Sequence, residues 1–145
     1  MKGLQLFFVL AVLFTLNSCK KCDPTNSIGG EVIDAIVRVI GIPGEPLFVT
    51  SQGYKNLNYE VSFNGGVDYS PVNFTQYSVL YLPSRANCSS GYDRSVTVDH
   101  TNKIVKFTLT ITECGSCEAQ ANVHNWVLIR AVPANYEYVY EIIKK

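Results

Sequence analysis

The sequence predicts a mainly β fold: a single β-sandwich or a rolled antiparallel sheet, with at most one short helix. Three observations point there. Short runs rich in Val, Ile, Tyr, Phe and Thr recur from Leu47 to Ile143, and Gly, Pro and Asn clusters separate them. Beyond the leader, no run is apolar for long enough to cross a bilayer. Nine tyrosines, all beyond residue 50, suit a half-buried pleated surface or a recognition face, since each keeps one end apolar and one end wet.

The leader comes first. Lys2 is a positive n-region, Leu4 to Leu16 form an apolar stretch, and Leu16-Asn17-Ser18-Cys19 closes it with a small residue before a cysteine. That is how a bacterial lipoprotein signal is built. Residues 1–18 are therefore expected to be a signal peptide, with acyl chains on Cys19 anchoring the mature chain to a membrane. Residues 19–30 are polar and rich in turn formers, which reads as a lipidated tether, and 31–145 reads as one mainly β domain. Lys20 and Lys21 stand where acidic residues would favour surface export in some lineages, so the expected location is the outer membrane, facing the periplasm.

Six of the ten residues from Glu31 to Ile40 are β-branched, so a strand is expected there. Gly41 to Pro46 is turn chemistry, Leu47 to Thr50 a short strand, and Thr50 or Ser51 caps a short helix through Leu57. Asn64-Gly65-Gly66 is a turn. Asn73 to Leu82 is nearly continuous in apolar residues, as a strand covered on both faces would be. Pro83 to Gly91 reads as a loop carrying Cys88.

Arg94 to Asp99 and Lys103 to Glu113 form a predicted hairpin around His100-Thr101-Asn102. Val105, Phe107, Leu109 and Ile111 share one face and must meet Val96 and Val98, so opposed residue numbers should sum to an odd value near 203. Asn125 to Val132 and Tyr136 to Ile143 read as a second hairpin about Pro133-Ala134-Asn135. That register would set Arg130 against Tyr138 and Leu128 against Tyr140. Trp126, Arg130, Tyr138 and Tyr140 would then form an aromatic ladder worth ~0.5–1 kcal/mol per contact, and a candidate binding face.

Twelve basic against twelve acidic residues leave no concentrated positive face for phosphates, which argues against nucleic acid as partner. With Cys19 acylated, Cys22, Cys88, Cys114 and Cys117 are candidates for disulfides. The 203 register brings Cys88 opposite Gly115, with Cys114 and Cys117 both in reach. Closing that loop of about 27 residues would stabilise the domain by ~3 kcal/mol. Cys114-Gly-Ser-Cys117 has the spacing of a thiol-disulfide enzyme, but the stretch before Asn125 is too short for the helix that would acidify a thiol. A four-cysteine zinc site is disfavoured in an oxidising compartment, and His100 and His124 have no evident ligand partners, so no metal and no cofactor are expected. No catalytic constellation is expected either, because no phosphate loop and no nucleophile–base pairing stands out.

Val49-Thr-Ser-Gln-Gly-Tyr-Lys-Asn-Leu57, Val72-Asn-Phe-Thr-Gln-Tyr-Ser-Val-Leu80, Ser90-Gly-Tyr92, the hairpin, the Cys117 region and Val127-Leu-Ile-Arg-Ala-Val-Pro133 come one after another in an order that resembles the PrcB-like lipoproteins. The resemblance covers about residues 47–143. It implies a small, mainly β, lipid-anchored and non-enzymatic protein that supports an envelope partner, the founding member being an accessory subunit of a surface protease complex. The expectation is a membrane-anchored β domain that binds or stabilises an envelope protein. A carbohydrate or small-ligand binder is the alternative, and a thiol-disulfide oxidoreductase using Cys114 and Cys117 is third.

Overall fold

A computed structural model describes Cys22 and residues 26–32, 35–37, 44–50, 60–62, 69–115 and 118–145. The signal peptide, Cys19, Cys117, the short helix expected before Leu57 and the Asn64 turn lie outside the described residues.

Among the described residues there is no helix, and the strands are β1 (Asn26–Ile28), β2 (Glu31–Val32), β3 (Ala35–Val37), β4 (Leu47–Val49), β5 (Glu60–Ser62), β6 (Tyr69–Pro71), β7 (Tyr77–Asn87), β8 (Gly91–Asp99), β9 (Ile104–Thr112), β10 (Gln120–Arg130) and β11 (Glu137–Lys144). They form one sheet in the order β1-β8-β9-β11, a second in the order β2-β10-β7-β4, and a three-stranded sheet β3-β5-β6. The fold is mainly β, as the residue pattern requires.

The β8–β9 hairpin has the expected register: Gly91 faces Thr112, Val96 faces Phe107 and Asp99 faces Ile104, each pair summing to 203. Its turn is fastened by Asp99, whose Oδ1 accepts from the backbone N–H of Thr101 and of Asn102, both at 2.9 Å. Lys103 completes the reversal with φ 56°.

Alternation sends Val105, Phe107, Leu109 and Ile111 of β9 into a core shared with Leu80, Leu82 and Ala86 of β7 and Val127 and Ile129 of β10. Two sheets therefore pack face to face, and each large apolar side chain fully buried there is worth roughly 1.5–3 kcal/mol. The other face of the second sheet carries a separate cluster of Val49, Phe74, Val79, Tyr81, Trp126 and Leu128. Consequently every residue from Ser78 to Leu82 is buried, as a doubly covered strand demands.

Three expectations are corrected. The strand expected from Asn73 to Leu82 starts at Tyr77, after a turn over 74–76, and Pro83 does not end it, since β7 continues to Asn87. Proline is tolerated there because β4 pairs with β7 only over Val79 to Tyr81, so Pro83 lies on an open edge where its missing N–H costs no ladder bond. Secondly, β10 and β11 are not a hairpin. β10 runs antiparallel to β7, with Trp126 opposite Tyr81, whereas β11 runs parallel to β9, with Tyr138 opposite Val105. The reason is visible in β10 itself: Asn125 to Ile129 are all buried, so the strand needs cover on both faces and takes a central position between β2 and β7. The segment between β10 and β11 then crosses to the opposite sheet, held by Ala131 N–H donating to Gln76 O at 2.8 Å and Glu137 N–H donating to Lys103 O at 2.8 Å.

Thirdly, the end of the expected 19–30 tether is built into the domain. β1 runs parallel to β8, with Asn26 opposite Asp93, and β2 pairs with β10 in the other sheet. Between them Gly29 has φ 79°, and a Cβ there would strike the carbonyl oxygen of Val96. Only glycine makes this corner cheaply.

Candidate functional site

The chemistry-bearing residues fall at three places: one pole of the sandwich, its interior and the outer face of the second sheet. The pole gathers the β7–β8 turn, the segment from Glu113 to Ala119 and Lys145. Cys88 N–H donates to Ala119 O at 3.0 Å, and Ser89 Oγ donates to Cys114 O. Glu113 N–H donates to Lys145 O at 3.2 Å. Asn87 Oδ1 organises the turn by accepting from Ser89 N–H at 3.1 Å and Ser90 Oγ at 2.8 Å. The Asn87-Cys-Ser89 triplet is therefore a side-chain-stabilised turn, as is Asn73-Phe-Thr75, where Asn73 Oδ1 accepts from Thr75 N–H at 3.1 Å.

At this pole Cys22 is bonded to Cys114 across 92 residues, with their Cα atoms 5.6 Å apart. Cys88 is disulfide-bonded as well, to a partner outside the described residues. Cys114 is thus not the partner of Cys88, although the hairpin register brings the two segments together. The sequence could not decide this, because the approach of Cys22 depends on β1 pairing with β8, a contact between segments far apart in the chain. Three of the four sulfurs a zinc site would have needed are held in disulfides.

The four residues expected to share a binding face do not share one. Trp126 is 6% exposed, and its ring lies on Tyr81 with centroids 4.1 Å apart, inside the second sheet's outer cluster. Arg130 lies exposed at the far end of β10, in register with Tyr77. Tyr138 and Tyr140 belong to the first sheet. Tyr138 packs on Phe48 at 5.7 Å and donates to Tyr81 O at 3.4 Å, and its burial holds the phenol well above the usual tyrosine range. Tyr140 is 50% exposed beside Ile142 at 42%, on the outermost strand of its sheet. The expected ladder depended on the β10–β11 hairpin and dissolves with it.

Two interior residues were not singled out from the sequence. Arg94 is buried, yet Nη2 donates to Asn125 Oδ1 at 2.6 Å and the guanidinium stands 5.6 Å from the Tyr92 ring centroid. Asn125 in turn donates through Nδ2 to Leu82 O at 3.0 Å and Ser84 Oγ at 2.9 Å. A polar bridge thereby links the two sheets through the core. Its signal was present: Arg94 has the parity of Val96 and Val98, and Asn125 that of Val127 and Ile129.

On the outer face of the second sheet, a concavity of about 490 Å³ is lined by Tyr81, Pro83, Arg85, Asn122 and His124 among others. The Tyr81 hydroxyl and His124 Nδ1 share a hydrogen bond of 2.8 Å, and the two rings stack at 6.0 Å. His100, at the opposite pole, meets the Tyr136 hydroxyl through Nδ1 at 2.8 Å. Both histidines thus have phenol partners. Fold and site together define a disulfide-stapled β domain whose two four-stranded sheets pack face to face, with an edge strand, β11, that exposes Tyr140, Ile142 and Ile143 among charged residues. No protein-family model matches the chain, and neither a curated protein nor a solved structure matches it.

Proposed function

We propose that this chain is a lipid-anchored, non-catalytic β domain of the bacterial envelope that binds or steadies an envelope protein partner. The observation that carries the reading is the Cys22–Cys114 disulfide. Such bonds persist outside the reducing cytosol, as the leader ending at Cys19 requires. Among the five cysteines, acylation of Cys19 leaves Cys117 to bond Cys88, so every remaining sulfur has a use that is neither catalytic nor metal-binding. The partner is an extended segment of an envelope protein adding to β11, the longer of the two edge strands of its sheet, which exposes Tyr140, Ile142 and Ile143. An open sheet edge pairs readily with an incoming strand.

Mass spectrometry of the protein from envelope membranes tests the anchor: a diacylglyceryl thioether on Cys19 and a Cys88–Cys117 peptide are expected, and an unmodified sulfur overturns the reading. A photo-crosslinking residue in place of Tyr140 should capture one reproducible protein, with the adduct lost on Ile142→Lys. Equal capture from a residue in place of Thr97 would remove β11 as the docking edge. The small-ligand alternative draws its support from the Tyr81–His124 concavity. Unchanged Trp126 fluorescence across a glycan panel counts against it.

A further inference from the structure

We infer that the Cys22–Cys114 disulfide shortens the lipid anchor to a three-residue leash, and that the pole bearing Cys114 rests on the phospholipid headgroup surface. This rests on the acylation of Cys19 proposed above. An extended chain spans at most ~3.3–3.6 Å per residue, so Cys22 stands no more than about 11 Å from the acylated Cys19. Cys22 is fixed to Cys114, with 5.6 Å between Cα atoms. Cys114 in turn sits in a tied pole, where Ser89 Oγ donates to its carbonyl and Lys145 N–H donates to Ile111 O at 2.9 Å. Without the disulfide, the next described point of attachment is Asn26, opposite Asp93 on β8. The leash would then be seven residues and could reach about 25 Å.

The difference decides orientation. A headgroup layer is only about 5–7 Å deep, so a leash of about 11 Å keeps the Cys114 pole at the lipid and excludes an inverted domain. The opposite pole, with His100 and Tyr136, lies one strand length away, about 27 Å for a strand such as β8. The Cys114 pole is therefore the one held at the lipid in every tilt the leash permits, and the His100 pole never replaces it there. Charge at the lipid-facing pole is mixed: Arg85, Lys144 and Lys145 stand with Glu113 and Glu118, and Lys20 and Lys21 in the leash add positive charge beside the lipid. The leash length, and not a basic patch, selects the pole held at the lipid.

The test uses the full lipidated chain in phosphatidylethanolamine–phosphatidylglycerol vesicles, with a photo-crosslinking residue in place of Glu118 at the near pole or Asn102 at the far one. Lipid adducts at position 118 should exceed those at 102 several-fold. A flexible Gly-Ser insertion of about ten residues between Lys20 and Lys21, which leaves the disulfide and the domain intact, should abolish the difference. The Cys22→Ser/Cys114→Ser pair should reduce it in the same direction. Equal adducts at both positions, or a bias that survives the insertion, overturns the leash while an acylated Cys19 leaves the anchor reading standing. An unmodified Cys19 sulfur in the same samples overturns both.

Discussion

Arg94 carries a full charge inside a sandwich, and its hydrogen bond to Asn125 at 2.6 Å compensates part of its desolvation. Asn125→Leu removes that acceptor while leaving the guanidinium in place, so it should cost about 2–3 kcal/mol of unfolding free energy in urea titration. Adding Arg94→Met should recover part of it, because the buried charge goes with its acceptor and only Leu82 O and Ser84 Oγ are left without the Asn125 donor. If the double variant is no more stable than Asn125→Leu alone, the bridge is not the source of the loss. Phe107, fully buried in β9, provides a contrast: Phe107→Ala should cost about 3–5 kcal/mol with no partner able to rescue it. Tyr138 adds a pH dependence. Burial raises its folded-state pKa above the ordinary 10.0, so its contribution is fully present below that value. Stability is lost as pH rises from there through the raised value, and Tyr138→Phe should flatten the alkaline limb of a stability–pH curve.

The elements differ in how much of them the chain spells out locally. The register and turn of the β8–β9 hairpin were legible, though β8 begins at Gly91 and not at Arg94, because alternation, turn residues and partner lie within about twenty positions of one another. Asp99 contributes at this scale: the Asn102 and Thr101 hydrogen bonds depress its carboxyl pKa. The stabilisation is therefore present above the ordinary carboxylate value and disappears as pH falls through the folded-state value. Asp99→Ala should remove that acid dependence and lower the melting temperature, as calorimetry at two pH values would register. The Gly29 corner is the opposite case, since two glycines at the end of a polar, turn-rich stretch read equally well as a flexible tether. Gly29→Val should cost more than the ~1–2 kcal/mol of placing a side chain at positive φ, because its Cβ also meets the Val96 carbonyl. Loss of hydrogen-exchange protection confined to β1 and β2 would locate the damage there. An aromatic ladder between β10 and β11 was the natural reading of two adjacent alternating segments, and it failed because the burial of both faces of β10 outweighs proximity in sequence.

For the whole molecule, the Cys22–Cys114 bond spans 92 residues, and the chain-entropy model gives such a closure about 4–5 kcal/mol. The Cys22→Ser/Cys114→Ser pair should lose up to that amount in urea titration. A loss near zero would show that the sheet contacts of β1 alone suffice to dock the leader.

Alternation of side chains settled the mainly β class and the 203 register, and an unbroken apolar run the double burial of β7, because facing is a property of each strand's own residues. Alternation is silent about which strand lies alongside. That β11 joins β9 in parallel, that β10 inserts between β2 and β7, that Cys114 takes Cys22, and that Trp126 and Tyr138 end in different sheets were all decided by contacts between residues distant in the chain. Strand partners are chosen by the burial available once both sheets are assembled, and no local stretch of sequence contains that quantity.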